Sequence, residues 1–397
     1  MNAKLFDVVV VGGGPSGATA AWDLARAGRK VLLLDRAGRV KPCGGAVPPK
    51  LLEEFEVPAS LLVARARSAR MVAPSNRAVD MPVGEIGFVG MVDREHFDEW
   101  LRARAALAGA ERRSGTFDHV ERRGGQTIVA YRDARGGAIH EVATRLVLGC
   151  DGARSAVARQ NIAGAERIPC VFAYHEIVRS PAATAQGYDP SRCDVLYQGR
   201  YSPDFYAWIF PHGEVASIGT GSANKGFALR EAIADLRGEL GLAACETIRK
   251  EGAPIPLRPL ARWDNGRDVL VAGDAAGVVA PASGEGIYYA MSAGRYAASA
   301  ADAFIATGNP KALRAARRGF MRAHGRVFWV LRMMQYFWYS SDKRRERFVD
   351  MCADRDVQQL TWQAYMHKRL VRARPLAHAR IFVKDMGHLL GLKSLPQ

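Results

Sequence analysis

The stretch VVVVGGGPSG, residues 8–17, constrains the fold more than any other part of this 397-residue chain. A short apolar run ends in Gly12-x-Gly14-x-x-Gly17 and a helix-compatible segment follows. This spacing predicts a buried strand over 6–11, a helix over 16–27 and a second strand over 30–34, a compact β-α-β unit. Asp35 closes the second strand at the distance where an acid meets the ribose hydroxyl of a dinucleotide. The glycines permit the turn and let the backbone approach a pyrophosphate, which the positive end of the helix favours. Pro15, Ser16 and Arg36 lie in the same turns and are assigned to the cofactor with Gly12, Gly14, Gly17 and Asp35. A glycine-rich turn with no ligand is the competing reading; the strand, helix and acid context argues against it.

A simple nicotinamide dehydrogenase would continue with alternating strands and helices. Here a second glycine-acid motif returns in DVLVAGDAAG, residues 268–277, followed by an alanine-rich helix over 284–306. That order points to FAD. Asp274 of Gly273-Asp274 is expected to reach the ribityl chain, and Gly284, Gly286 and Ile287 to open a helix facing the flavin pyrimidine. Its partial positive charge would stabilise the anion of reduced flavin. TRLVLGCDGARS, residues 144–155, reads as a strand running into a phosphate-style turn at Asp151 and Gly152, with a simple turn as the alternative. REHFDEWLRARAALAG, residues 94–109, is an amphipathic helix closed by glycine. Arg94 at its start is a candidate bidentate partner for the pyrophosphate, although an arginine there opposes the helix dipole and a solvated charge is the alternative.

The loop KPCGGAVPP, residues 41–49, holds two glycines and three prolines around Cys43 and is unsuited to helix or strand. Gly44 and Gly45 would let its backbone approach the flavin ring. Beyond it come a short helix over 49–56, strands over 65–73 and 87–92, and a weak hairpin over 115–142. Between 168 and 260 the composition shifts to aromatic, alternating segments such as FYAWIF and VASIGTG, the pattern of a half-buried antiparallel sheet. Tyr206, Trp208 and Phe210 fall on one face of a strand there and suit an apolar slot, with ordinary sheet core as the competing reading. The expected domains are an FAD-binding part over 1–167, with 60–92 partly in the substrate region, and a substrate domain over 168–260. The rest of the FAD-binding part follows over 261–310, and a basic helical region fills 311–397.

Six scattered cysteines with no CxxC pair argue against a zinc site or disulfide framework, so no metal is expected and the thiols should be free in a reducing compartment. Residues 311–397 carry 19 Lys and Arg against 6 Asp and Glu, most of the net charge of +16. Within them, RVFWVLRMMQYFWYSSDKRRERF, residues 326–348, sets aromatics beside cations. That suits an anionic membrane surface; a helix packed on the substrate domain is the alternative, and no nucleic-acid motif is present. The N-terminal run reads as the first strand rather than a signal peptide, and no stretch reaches the roughly 20 apolar residues of a spanning helix. A cytoplasmic protein, peripherally associated with a membrane, is expected.

The glycine triplet, the KPCGG loop, Asp151-Gly152 and Gly273-Asp274, together with Pro203-x-x-Tyr206-x-Trp208-x-Phe210-Pro211, resemble the flavin-dependent geranylgeranyl reductases over nearly the whole chain. KPCGGAVPP and MVDREHFDEWLR look like the chlorophyll and bacteriochlorophyll branch rather than the archaeal lipid branch. The resemblance implies an α/β fold of the p-hydroxybenzoate hydroxylase kind: a Rossmann-like FAD-binding domain assembled from separated segments, an antiparallel-sheet substrate domain and a helical C-terminal region. It implies that NADPH reduces FAD, and that the flavin saturates three of the four double bonds of a geranylgeranyl chain to give phytyl. The substrate would be a prenylated pigment or a prenyl diphosphate at a photosynthetic membrane. An isolated alkene needs a proton at the carbon that does not receive hydride, and the Cys43 thiol is one possible donor; a small buried hydrophobe is the other reading of Cys43. The competing functions are a flavin monooxygenase or halogenase of the same fold, an archaeal-type prenyl-lipid reductase, and a prenyl-lipid carrier that keeps FAD structurally.

Overall fold

The computed structural model describes residues 5–36, 38, 40–133, 137–181 and 187–368. Two compact units divide the chain. One comprises the described residues of Met1–Cys43, Asp93–Val171 and Pro254–Phe328; the other comprises those of Gly44–Val92, Phe172–Ala253 and Trp329–Gln397.

The first unit is built on the strand Leu5–Val11, whose valines are fully buried. It lies parallel to Val31–Asp35 on one side and to the end of Ile139–Gly149 on the other, and Val269–Val271 extends the parallel set. Both faces of such strands are covered, which is why they read as continuous apolar runs. The expected hairpin over 115–142 is instead part of a larger meander. Glu111–Arg123 first pairs in parallel with Val31–Asp35, then turns antiparallel against Gln126–Asp133, which pairs in turn with the start of Ile139–Gly149. Helices Pro15–Arg26, Arg94–Leu107 and Ile287–Thr307 belong to the same unit. Gly294 brings the last of these against the first, since a Cβ there would overlap the Ser16 carbonyl oxygen.

The second unit holds a seven-stranded sheet in the order Thr247–Pro256, Cys170–Arg179, Val215–Ser222, Ala207–His212, Arg192–Leu196, Ser68–Val72, Ala78–Pro82. An antiparallel sheet was expected, and one pairing departs from it: Arg192–Leu196 runs parallel to Ser68–Val72. The single strand expected over 65–73 is two strands. Leu62–Ala66 pairs with Val89–Val92 in a small three-stranded sheet, and after Arg67 the chain enters the large sheet. Ala207, Ile209, Ala216 and Ile218 face a core that includes Ile233 and Leu236 of helix Leu229–Glu239. By strand alternation, Trp208, Phe210 and Ser217 take the opposite face.

Of the described residues past 310, those up to Phe328 group with the first unit and those from Trp329 with the second. Helix Arg314–Trp338 is followed by helices Asp342–Met351 and Arg355–His367, both of which belong to the second unit. The buried Arg345 guanidinium donates to the Pro203 and Tyr339 carbonyls, and Glu346 accepts from the Ser75 hydroxyl at 2.7 Å. The helical pattern expected beyond residue 368 lies outside the described residues.

Candidate functional site

In the first unit the two glycine-acid motifs meet. Gly12 has φ of +101°, a left-handed conformation, and a side chain there would strike the Cys150 carbonyl; a Cβ on Gly17 would overlap the Gly12 carbonyl oxygen. Gly273 packs on the same turn, since its Cβ would stand 2.7 Å from that of Ser16. Gly14 differs from these. A Cβ there would meet nothing nearer than Arg94 Nη2 and Asp98 Oδ2, both at 4.0 Å. Helix Pro15–Arg26 has no side-chain cap and no acid in its first turn, so its N-terminal N–H groups remain available to an anion. This open cradle, with the bare N–H groups of the helix end before it, fits a dinucleotide pyrophosphate.

Arg94 is 6% exposed, which excludes the solvated reading. It forks onto Asp98 at 2.8 and 2.7 Å and hydrogen-bonds Cys43. Burial, the largest effect, opposes its charge, but Asp98 and Cys43 together hold its pKa above the ordinary value. Asp93 caps the helix and accepts from the Glu95 N–H, so the unfavourable position of Arg94 is offset locally. Asp35 ends its strand and meets Arg102 Nη1 at 3.2 Å. Arg36 is exposed.

Asp274 is ion-paired with Lys41, and a Cβ on Gly286 would lie 3.8 Å from its Oδ1. Gly284 has φ of +63°, and Gly286 starts helix Ile287–Thr307 without a side-chain cap, so the positive end of a long helix begins at Ile287. Asp151 is used locally. It accepts from Ala156 N at 2.6 Å, from Val157 N at 3.2 Å and from the Ser155 hydroxyl, capping the short helix Ala156–Asn161. Burial raises its pKa. Gly152 beside it is left-handed and open to space.

Sequence reasoning passed over Arg102, Lys41 and Asp98. Arg94, Asp98 and Arg102 recur every fourth residue, a charged stripe on one helical face that could have marked them. Lys41 carried no such signal.

All six cysteines are free, as expected. Cys150 lies under the first turn with its thiol directed at Ser16 Oγ, 3.6 Å away, and burial pushes it up to about 12; burial does the same to Cys352. In the unfolded chain a thiol ionises near 8.5. The folded values are raised, so the stability these thiols confer is complete below about pH 8.5 and is lost as pH climbs toward 12. Over that window the unfolded state holds fewer protons, and stability should fall by about 1.4 kcal/mol per pH unit for each thiol. Urea midpoints measured from pH 7 to 11 should show this decline, with a shallower slope in Cys352→Ala. Equal slopes in the two proteins would refute it.

In the second unit, Tyr206, Trp208 and Phe210 form a row with ring centroids 6.0 and 6.1 Å apart. Tyr206 stands one residue before its strand yet continues the row. Gly44 passes over it: a Cβ there would come within 3.2 Å of the Phe210 ring and 4.0 Å of Trp208 Nε1. Gly45, at φ of +70°, approaches the Val92 carbonyl and His212 so closely that no side chain fits. Cys43 is half-buried. Among the described residues no group of His, Cys, Asp or Glu could hold a metal ion, and no helix is long and apolar enough to cross a membrane.

A parallel nucleotide sheet with two glycine-acid turns, assembled from separated segments in one chain with an aromatic-faced sheet, defines a flavin-dependent oxidoreductase. The chain matches the FAD dependent oxidoreductase family over residues 7–57 and the lycopene cyclase protein family over residues 221–384. It is 58% identical over 387 residues to the geranylgeranyl diphosphate reductase of Rhodobacter capsulatus, covering 98% of each chain. It is 36% identical to the chloroplastic geranylgeranyl diphosphate reductase of Oryza sativa, over 99% of this chain and 88% of that one. A digeranylgeranylglycerophospholipid reductase of Methanopyrus kandleri is 32% identical, over 75% of this chain and 80% of its own. The fold is shared with a geranylgeranyl bacteriochlorophyll reductase-like structure from Thermoplasma acidophilum, at TM-score 0.79, 22% identity and 94% and 99% coverage. A flavin-dependent brominase shares it at TM-score 0.75 and 16% identity, with 98% and 100% coverage. The chain belongs to the geranylgeranyl diphosphate reductase family.

Proposed function

We propose that this flavoprotein uses NADPH to saturate three double bonds of a geranylgeranyl group, giving phytyl, on (bacterio)chlorophyll or on geranylgeranyl diphosphate. The observation that carries the reading is the aromatic row Tyr206, Trp208 and Phe210, in a chain closely similar to relatives bearing that name. Large rings along one sheet face suit an apolar prenyl chain. Bound FAD supplies the hydride. Gly12, Gly14 and Gly17 with the helix N-terminus hold its pyrophosphate, Arg94 adds positive charge, and Asp35 and Asp274 take its sugar hydroxyls. The N-terminus at Ile287 favours negative charge on the ring. Cys43, held by Arg94, gives the proton to the substrate carbon opposite the hydride.

The partner surface is an anionic membrane. Trp329, Met333 and Tyr336 recur at helical spacing and are 66%, 47% and 79% exposed, beside exposed Arg332 and within residues 311–397, where 19 Lys and Arg stand against 6 Asp and Glu. A strain lacking the gene should accumulate pigment with an unreduced geranylgeranyl chain, read by mass spectrometry. Fully phytylated pigment in that strain, or a purified enzyme that turns over NADPH only with oxygen, would overturn the reading.

A further inference from the structure

We infer that His175 and Ser217 are positioning residues that lock the indole of Trp208, and that this lock governs how the prenyl chain is held; the second part rests on the function proposed above. His175, Gly219 and Trp208 are direct cross-strand neighbours on three adjacent strands. The indole lies over Gly219, where a Cβ would fall inside its ring and 2.6 Å from that of His175. The ring fills the space a side chain would occupy. Its edge is fixed by hydrogen bonding: Trp208 Nε1 donates to Ser217 Oγ at 3.1 Å, and Ser217 Oγ lies 3.0 Å from His175 Nδ1. On the far side, His175 Nε2 lies 3.1 Å from Glu251 Oε2.

The indole end of the chain has a fixed direction. The indole can only donate, so Ser217 Oγ accepts from it. His175 Nδ1 pairs with the Ser217 hydroxyl in either direction, because Oγ–H can donate to a bare Nδ1 and Oγ can accept from Nδ1–H on its second lone pair. The contacts run from Trp208 through Ser217 to His175, with Glu251 beyond. Ser217 is fully buried and His175 is 2% exposed, so no water replaces a lost partner. A tryptophan held only by packing would need none of these polar groups beneath the sheet face.

The test uses the full chain with FAD, labelled with 5-fluorotryptophan, in which Trp208→Phe identifies the Trp208 resonance among the seven tryptophans. Ser217→Ala and His175→Phe should shift or broaden that resonance, and Ser217→Thr, which keeps the hydroxyl, should restore it. With geranylgeranyl diphosphate as probe, Ser217→Ala should raise KM about five- to tenfold, the scale of one lost hydrogen bond with a stranded buried donor, and increase the share of partly reduced product. The rise in KM should exceed the change in kcat. In the Trp208→Phe background, Ser217→Ala should add nothing, because no N–H is left to hold. An unmoved Trp208 resonance in Ser217→Ala, or an equal cost of Ser217→Ala in both backgrounds, would overturn the inference. The resonance needs no substrate, so it decides the lock even if the probe proves not to be the substrate.

Discussion

Gly14→Val should give a folded protein that purifies without the yellow colour of bound flavin. Gly14 has φ of −74° and ψ of −174°, extended backbone that valine adopts readily. Nothing in the protein stands closer than 4.0 Å to the new Cβ. The branched side chain would occupy instead the space before the helix N-terminus, where the pyrophosphate oxygens must approach. Flavin affinity should fall at least about 100-fold, about 2.8 kcal/mol at 1.4 kcal/mol per decade. The melting temperature of the flavin-free protein should stay near that of the stripped parent. Gly17→Val provides the contrast, because its Cβ overlaps the Gly12 carbonyl and the whole turn must open. That variant should lose the fold as well as the flavin. Absorbance per chain and thermal melts by circular dichroism read both, and full flavin occupancy in Gly14→Val would refute the placement.

The second large effect concerns Cys43. Its sulfur is held by the buried Arg94 guanidinium, which Asp98 orients. Cys43→Ser keeps nearly the same volume and can still bond to Arg94, but a hydroxyl is a far weaker acid than a thiol, whose reference pKa is about 8.5. If the thiol is the proton donor, FAD reduction by NADPH proceeds normally in this variant while reoxidation by prenyl substrate slows by about 10²-fold or more. If the thiol only packs, Cys43→Ala leaves reoxidation nearly intact. Stopped-flow measurement of the two half-reactions separates these outcomes. Wild-type reoxidation in both variants would remove Cys43 from the chemistry and leave the loop's contribution to Gly44 and Gly45.

The first β-α-β unit was legible almost to the residue, because apolar run, glycine spacing and acid are all local signals: the helix expected over 16–27 is Pro15–Arg26. The break at Arg67 was not legible. It arises because Leu62–Ala66 and Ser68–Val72 find different partners, one of them more than 120 residues away at Arg192–Leu196, and periodicity says nothing about partners. The parallel start of Glu111–Arg123 was hidden for the same reason. At the candidate site, glycines and aromatics announced themselves by type and spacing. Arg102 and Lys41 did not, since a surface-looking cation reveals its role only when an acid from elsewhere in the chain stands opposite it. Ser217 sat inside VASIGTG as an ordinary outward position of a strand, and only Trp208 across the pairing gives it a task.

The way each unit is drawn from three stretches of chain bears on how the protein is born. At a ribosomal pace of about 5–20 residues per second, these 397 residues take roughly 20 to 80 s to make. For most of that time the first glycine turn lacks the second, because Gly273, which closes on Ser16, and Asp274 follow Gly17 by more than 250 residues. The sheet bearing the aromatic row waits longer still, for Glu346 to reach Ser75. A cofactor that needs both turns is captured only after the second has emerged, and the valine-rich strands must be shielded until then.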